Sequence, residues 1–481
     1  MGEHDDIADR LATFLESDLV REGLEVRDLR RLSGGASRET WSFDLLDAVH
    51  GGTERLILQR IRAGALGGAV SMVGESGLLQ AAGAAGVPVA PVLAASDDGA
   101  VVGAPFLVMG RVEGETIARR ILRDDEFAGA RRRLVRDCGE ALAAIHSLPA
   151  HDARYLQVQE PISQLTGLLD LLGQPRPAFE LGLRWLDEHR PPEVEPSVVH
   201  GDFRLGNFMV DEHGLRAVLD WELAHLGDPI EDLGWLCVRA WRFGSDLPVA
   251  GLGSYAELID AYSSASGMVV DPDVMRWWEV LGTLRWGVIC IMQASSHLSG
   301  ASRSVELAAI GRRVCENEYD LLGLIGARPQ TVDSAPEAAP TQAAPGTERD
   351  RAGPAQAVAG SGADLYGASS AVELVTAVRE FLEGDVMGAT QGRVQFHARV
   401  AGKVLATVER ELAAGPGPRI AHAARLAALG VADDTELAAA IRSGRVDAGS
   451  DHIRHSVWLD VLAQLQVANP AYLLPVDRRP D

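Results

Sequence analysis

The sequence predicts an α+β chain, on three observations. Short alternating segments punctuated by glycine fill roughly the first hundred residues, the signature of antiparallel strands. From residue 116 onward apolar residues recur mainly at helical spacing, interrupted near residues 199–219 by one further alternating stretch. After a break rich in Ala, Pro, Gly and Thr at 328–363, helical spacing resumes and holds to residue 481.

The elements follow in order. Residues 5–25 place Ile7, Leu11, Phe14, Leu15 and Leu19 on one helical face. Residues 29–45 alternate as two strands interrupted by the small-residue loop Ser33-Gly34-Gly35-Ala36-Ser37-Arg38-Glu39-Thr40, whose backbone N–H groups have room to approach an anion. Arg55–Ile61 reads as a strand, Glu75–Ala85 as a helix closed by Gly86, and Val101–Met109 as a strand. Long helices cover 116–148, with His146 a structural, hydrogen-bonded histidine. Trp185 sits in a further core helix, and 157–190 is otherwise hard to read. Helices also fill 255–325, where Trp277, Trp278 and Trp286 are expected to pack the core. The 328–363 segment is expected to be a disordered linker; about thirty such residues give a typical end separation of roughly 30 Å. Beyond it, Ser370-Ala371-Val372-Glu373 is a capping box opening a helix through Leu382. Further helices are expected near 394–412, 419–429, 434–443 and 451–466.

Composition narrows the classes. The net charge is −23 and the pI about 5.0, which argues against nucleic acid or an anionic membrane as partner. Cys138, Cys237, Cys290 and Cys315 are far apart with no CxxC pair, so reduced buried thiols are expected. The start, MGEHDDIADR, is acidic and lacks a basic-then-apolar leader, and the longest apolar run (280–292) is broken by Arg285. A cytoplasmic protein is the expectation. The 45 basic residues are all arginine except Lys403.

Chemistry concentrates in Val199-His200-Gly201-Asp202-Phe203-Arg204-Leu205-Gly206-Asn207 and in Leu219-Asp220-Trp221-Glu222. Between them a hairpin is predicted, with strands 208–211 and 215–219 and a turn at Glu212-His213-Gly214, returning Asp220 to the neighbourhood of Asn207. Two carboxylates and an amide oxygen then converge. Hard oxygen ligands of this kind suit Mg²⁺, which keeps waters and borrows phosphate oxygens. The remaining carboxylate is free to take a proton from an attacking hydroxyl, completing the parts needed for phosphoryl transfer.

His-Gly-Asp, Asn five residues after the Asp, then Asp-Trp-Glu resembles the catalytic and metal loops of the aminoglycoside phosphotransferase-like (choline kinase-like) family. The resemblance implies a bilobal protein-kinase-like fold: an N-lobe with an antiparallel sheet (1–110) and a helical C-lobe (111–327), followed here by the linker and a separate all-α domain (364–481). It implies ATP and Mg²⁺ as cofactors and a small-molecule hydroxyl as acceptor. Asp202 would be the catalytic base, Asn207 and Asp220 the Mg²⁺ ligands, His200 a loop-shaping residue and Asp232 the brace of the loop. Arg204 would either neutralise developing charge or form a salt bridge within the loop. Gly34 and Gly35 would cover the nucleotide, with Ser37 on phosphate and the backbone around Met109 on adenine. The family carries a lysine on the strand here read as 55–61, paired with a helix glutamate. Gln59 or Arg60 stands in its place. Arg60 is favoured because it shares a face with Leu58, with Glu75 as the paired glutamate.

The early Gly-Gly-Ala-Ser-Arg-Glu-Thr and the catalytic loop look closest to a branch also found fused to acyl-CoA dehydrogenases, which implies a hydroxyacyl-CoA as one acceptor. The last domain resembles a small uncharacterised domain found with such phosphotransferases, and a homodimer or a partner enzyme is expected to engage through it. The competing expectation is a catalytically inactive, kinase-like nucleotide- or ligand-binding scaffold, motivated by the missing lysine.

Overall fold

The structure is a computed structural model in which residues 3–32, 38–62, 70–149, 155–329 and 370–478 are described. Residues 33–37 of the predicted glycine loop, Ala63-Gly64 and nearly all of the predicted linker lie outside those residues, while Arg38-Glu39-Thr40, expected in that loop, are strand. The chain divides into two compact units, Met1–Gly167 with Trp185–Arg285, and Leu168–Arg184 with Trp286–Asp481.

The first unit opens with α1 (Glu3–Leu19), then β1 (Leu24–Arg31), β2 (Arg38–Asp47), β3 (Thr53–Ile61), α2 (Met72–Ala84), β4 (Val92–Ser96) and β5 (Phe106–Gly110). The strands form one antiparallel sheet in the order β1-β2-β3-β5-β4. Helix α1 stops earlier than its periodicity predicts. Val20 and Gly23 take positive φ (52° and 75°), and the Glu16 carboxylate caps the turn by accepting the Gly23 and Leu24 N–H groups at 2.7 and 3.0 Å. Ile7, Leu11 and Leu15 pack with Trp41, Phe43, Leu45, Leu56 and Leu58 in one buried cluster. These strand residues fix which face of the sheet is core. In the β2–β3 register Trp41 lies opposite Leu58 and Phe43 opposite Leu56, so Arg38, Thr40, Ile57 and Gln59 occupy the other face. Strand β4 has no counterpart in the sequence reading, because Val92–Ser96 is short and follows the prolines Pro88 and Pro91.

The rest is mainly helical, as predicted: α3 (Ala118–Arg123), α4 (Ala128–His146), α5 (Pro161–Leu172), α6 (Pro177–Glu188), α7 (Ile230–Cys237), α8 (Tyr255–Ser266), α9 (Pro272–Leu298), α10 (Val305–Gly311) and α11 (Val314–Leu324). Short strands sit among them. β6 (Ser197–Val199) pairs with β9 (His225–Gly227), and the predicted hairpin is present as β7 (Phe208–Asp211) and β8 (Gly214–Val218). No described helix is long and apolar enough to cross a membrane.

After residue 370 the chain is all helix: α12 (Ala371–Phe381), α13 (Met387–Ala389), α14 (Gly392–Ala414), α15 (Gly417–Ala428), α16 (Asp434–Arg442) and α17 (Asp451–Ala468). The predicted capping box is formed, with the Ser370 and Glu373 side chains each accepting the other's backbone N–H. In the second unit these helices share a core with α11 and the first part of α6. Tyr319 stacks on Trp458 with centroids 5.1 Å apart, and its hydroxyl donates to Asp477 Oδ2 at 2.5 Å. Arg442 donates two hydrogen bonds to the buried Glu180 carboxylate, at 2.9 and 2.6 Å. The compact unit around the C-terminal helices therefore takes in 168–184 and 286–329 as well.

Candidate active site

Between β6 and β7 the chain turns at Gly201, whose φ is +78°; a Cβ there would meet the Leu223 carbonyl oxygen at 2.4 Å, so only glycine fits. Asp232, fully buried on α7, holds this turn. Its Oδ2 accepts the His200 N–H at 2.8 Å and its Oδ1 the Gly201 N–H at 2.9 Å. His146 Nε2 lies 3.2 Å from the same Oδ2, and its Nδ1 lies 2.9 Å from the Tyr262 hydroxyl. Asp232 thus has the loop-bracing place that the family resemblance implies, and His146 the structural one. Burial pushes the Asp232 carboxyl up, but the His146 hydrogen bond and charge, together with His200, hold it below its ordinary range.

His200 ties the loop to the hairpin. Its Nε2 donates to the Leu219 carbonyl at 3.1 Å, while its Nδ1 accepts the Asp202 N–H at 3.2 Å. That pattern requires the neutral imidazole, consistent with burial lowering its pKa despite Asp232 and Asp202 nearby. The Asp202 side chain emerges from this scaffold. Its Oδ1 accepts from Arg204 Nε and Trp235 Nε1, each at 2.9 Å, and its Oδ2 accepts from Asn207 Nδ2 at 2.6 Å. Oδ1 is thereby filled, and Oδ2 keeps one lone pair. Asn207 turns its amide nitrogen to Asp202, donating to the carboxylate and to the backbone carbonyl at 3.0 Å, so its amide oxygen is not spent on Asp202. The Leu219 N–H donates to the Asn207 carbonyl at 2.8 Å and brings Asp220 alongside, as the hairpin predicts.

Asp220 sits at φ +64° in the left-handed region, a costly backbone for a non-glycine residue and one found at sites where a side chain must be aimed. Its carboxyl is pushed up to about 7, first by burial and then by Glu222, against the opposing pull of Arg38; Asp202 and Glu75 add to the rise. An excess of negative charge at a buried aspartate is what a divalent cation discharges. No group of three or more His, Cys, Asp or Glu among the described residues is arranged to hold a metal by itself. A metal here would rest on Asp220 and the Asn207 oxygen, with phosphate and water completing its shell, which is how Mg²⁺ is ordinarily held. The donor set fits.

The structure corrects the assignment of Arg60. Arg60 does share a face with Leu58, but that face carries the α1 core. There Arg60 pairs with Glu39 at 2.6 Å, donates to the Val102 carbonyl at 2.7 Å and lies over Trp41. Glu75, buried on α2, takes Arg38 instead. Arg38 Nη1 donates to Glu75 Oε1 at 2.7 Å and Nη2 to Oε2 at 2.5 Å, while Nε lies 3.2 Å from Glu222. Sequence reasoning missed Arg38, Glu222 and the two tryptophans around Asp202. In a chain whose sole lysine is Lys403 every arginine near the glycine loop is a candidate, and that signal was available.

The other expected residues fall as follows. Gly34, Gly35 and Ser37 lie outside the described residues. Met109 is buried in β5 between β3 and β4; Gly110 N–H donates to the Pro91 carbonyl and Arg111 N–H to that of Arg55, where the chain leaves the sheet. Arg204 forms the intra-loop salt bridge with Asp202 and stacks over Trp241 at 4.6 Å.

Sheet, brace and polar loops together define a protein-kinase-like phosphotransferase fold. The pattern of the phosphotransferase enzyme family matches residues 28–278, and the chain belongs to that family. A domain of unknown function matches 388–472. Among curated proteins the chain is 29% identical over 259 residues to mouse acyl-CoA dehydrogenase family member 10, covering 50% of this chain and 23% of that protein. It is 31% identical over 220 residues to mouse acyl-CoA dehydrogenase family member 11, covering 40% of this chain and 27% of that one. The chain thus spans about a quarter of the length of these relatives. A solved structure, a candidate aminoglycoside phosphotransferase from Ralstonia eutropha, shares the fold with a TM-score of 0.54 at 23% identity, covering 67% of this chain and 99% of that one.

Proposed function

We propose that the protein transfers the γ-phosphoryl group of ATP to a hydroxyl of a small molecule, with Mg²⁺. The observation that carries this reading is the grouping of Asp202, hydrogen-bonded to Asn207, with Asp220 close enough to feel its charge, and the Arg38 guanidinium of the Arg38–Glu75 ion pair beside Asp220. In the proposed reaction the acceptor oxygen attacks the γ-phosphorus, its proton passes to Asp202 Oδ2, and the bond to the β-phosphate oxygen breaks to release ADP. Trp235 and Arg204 fix the Asp202 carboxylate by filling Oδ1, so that Oδ2 alone meets the acceptor. Mg²⁺, when bound at Asn207 and Asp220, would neutralise phosphate charge as it develops. A hydroxyacyl-CoA is the acceptor we favour, supported by the acyl-CoA dehydrogenase names of the relatives matched in sequence. For the C-terminal helices we propose an assembly role, with a second copy or a partner enzyme.

Calorimetry with Mg-ATP tests the core of this reading. Wild type is expected to bind in the micromolar to millimolar range usual for enzyme substrates, and Asp220→Ala to lose the Mg²⁺-dependent part of that affinity. Equal affinity with and without Mg²⁺ in both proteins would remove the metal site, and no nucleotide binding at all would favour the scaffold alternative. In the same series Arg60→Ala is expected to bind nucleotide as wild type does while losing about 1–2 kcal/mol of stability to urea, since its partner is Glu39. A fall in nucleotide affinity for that variant would reinstate Arg60 in the site.

A further inference from the structure

The only lysine in the chain, Lys403, lies in α14, so any cation that meets phosphate at the candidate site must be an arginine. Of the two arginines paired along the β2–β3 ladder next to the start of β2, Arg38 and Arg60, only one is on the face away from the α1 core. Arg60 points to the α1 core, whereas Arg38 opens β2 directly after the loop and lies on the opposite face with Gln59.

We infer that Arg38 is the phosphate-facing cation of this phosphotransferase, and that strand β2 has taken over the charge from strand β3, where uncharged Gln59 stands. The inference rests on the proposed function and adds to it the residue that holds the nucleotide's phosphates. Three contacts carry it. Glu75 grips the guanidinium bidentately at 2.7 and 2.5 Å, which fixes its plane as an Arg–carboxylate fork does. Gln59 Oε1 accepts from Arg38 Nη1 at 3.2 Å, so the guanidinium occupies the space that a charged side chain from β3 would fill. Glu222, two residues past Asp220, lies 3.2 Å from Nε and sets the cation beside the proposed metal ligand.

Burial makes the placement purposeful. The Arg38 and Glu75 side chains are 8% and 2% exposed, and a buried ion pair adds little net stability over an apolar pair of the same volume. Its position next to Asp220 and Glu222 fits a group that must attract anionic oxygen. Arginine also suits the task, because it presents a planar fork to phosphate.

The test uses the full chain and Mg-ATP calorimetry, with thermal melts to confirm folding. Arg38→Gln combined with Glu75→Gln removes both charges, so neither is left buried alone. Arg38→Gln combined with Gln59→Lys moves the cation to β3, where it can meet Glu75. The neutral pair is expected to fold and to bind about tenfold more weakly or worse, the loss of one charge-assisted contact. The relocated lysine is expected to recover affinity to within about threefold of wild type. A neutral pair that binds as tightly as wild type would make Arg38 a structural brace and overturn the inference. So would a folded relocated variant with no recovery. Wild type that binds no nucleotide would instead bring down the kinase reading beneath it, which separates the two failures.

Discussion

Asp202→Asn is expected to lower the rate of phosphoryl transfer by about a hundred- to ten-thousand-fold, with only a small change in Mg-nucleotide affinity. The Asp202 carboxylate keeps a lone pair for the acceptor's proton, since Arg204 and Trp235 fill Oδ1 and Asn207 takes half of Oδ2. All of these neighbours are donors. An amide at position 202 must point its NH₂ at one of them, so it forfeits a hydrogen bond as well as its basicity. The arrangement predicts a loss in kcat, because the proton is taken only as the transition state forms. Single-turnover kinetics with an acceptor from a hydroxyl screen, or the slow transfer to water in its absence, reads the effect. A rate within tenfold of wild type would show that positioning and charge neutralisation suffice and that Asp202 is not a base.

What the sequence disclosed and what it hid follow from the range of the interactions. The catalytic loop, hairpin and metal loop were legible because their geometry is local: glycine turns and strand alternation return Asp220 to Asn207 within a short stretch of chain. The N-terminal capping box at Ser370 was legible for the same reason. The face of β3 was not, because alternation fixes parity but not which side meets the core. That choice is made by Ile7, Leu11 and Leu15, whose docking on Trp41 and Leu58 turns Arg60 inward to Glu39 and leaves Gln59 toward Arg38. Strand β9 was hidden too, since a three-residue strand carries no periodicity and is made by its pairing with β6 and its bridge to Val158. The boundary between compact units passes through α6 and α9, and nothing in the local pattern of a continuous helix marks such a place.

The second large effect is expected at Asp232. Replacing it with alanine leaves the His200 and Gly201 N–H groups and His146 without their acceptor in a fully buried position. The expected cost is about 3–5 kcal/mol at neutral pH, the range for breaking a buried charged network from one side. The pH dependence has a definite sign. The folded carboxyl is held below its ordinary value of 3.8, so the unfolded chain binds its proton first as pH falls. Its contribution is therefore fully present above 3.8, and it is lost as pH drops through the lower folded value. Urea melts of wild type and Asp232→Ala should show a constant gap from neutral pH down to that region, then a closing one. A gap that stays open in acid would mean that the neutral acid braces the loop as well as the carboxylate does. A gap under about 1 kcal/mol at neutral pH would mean that water replaces the carboxylate. In either case the loop's geometry would have to come from Gly201 and the β6–β9 pair. Because Asp202 leaves the same turn directly after Gly201, the variant should lose phosphoryl transfer even at temperatures where it remains folded. Stability and catalysis here depend on one carboxylate, and measuring both in the same variant tests whether the brace works through the loop.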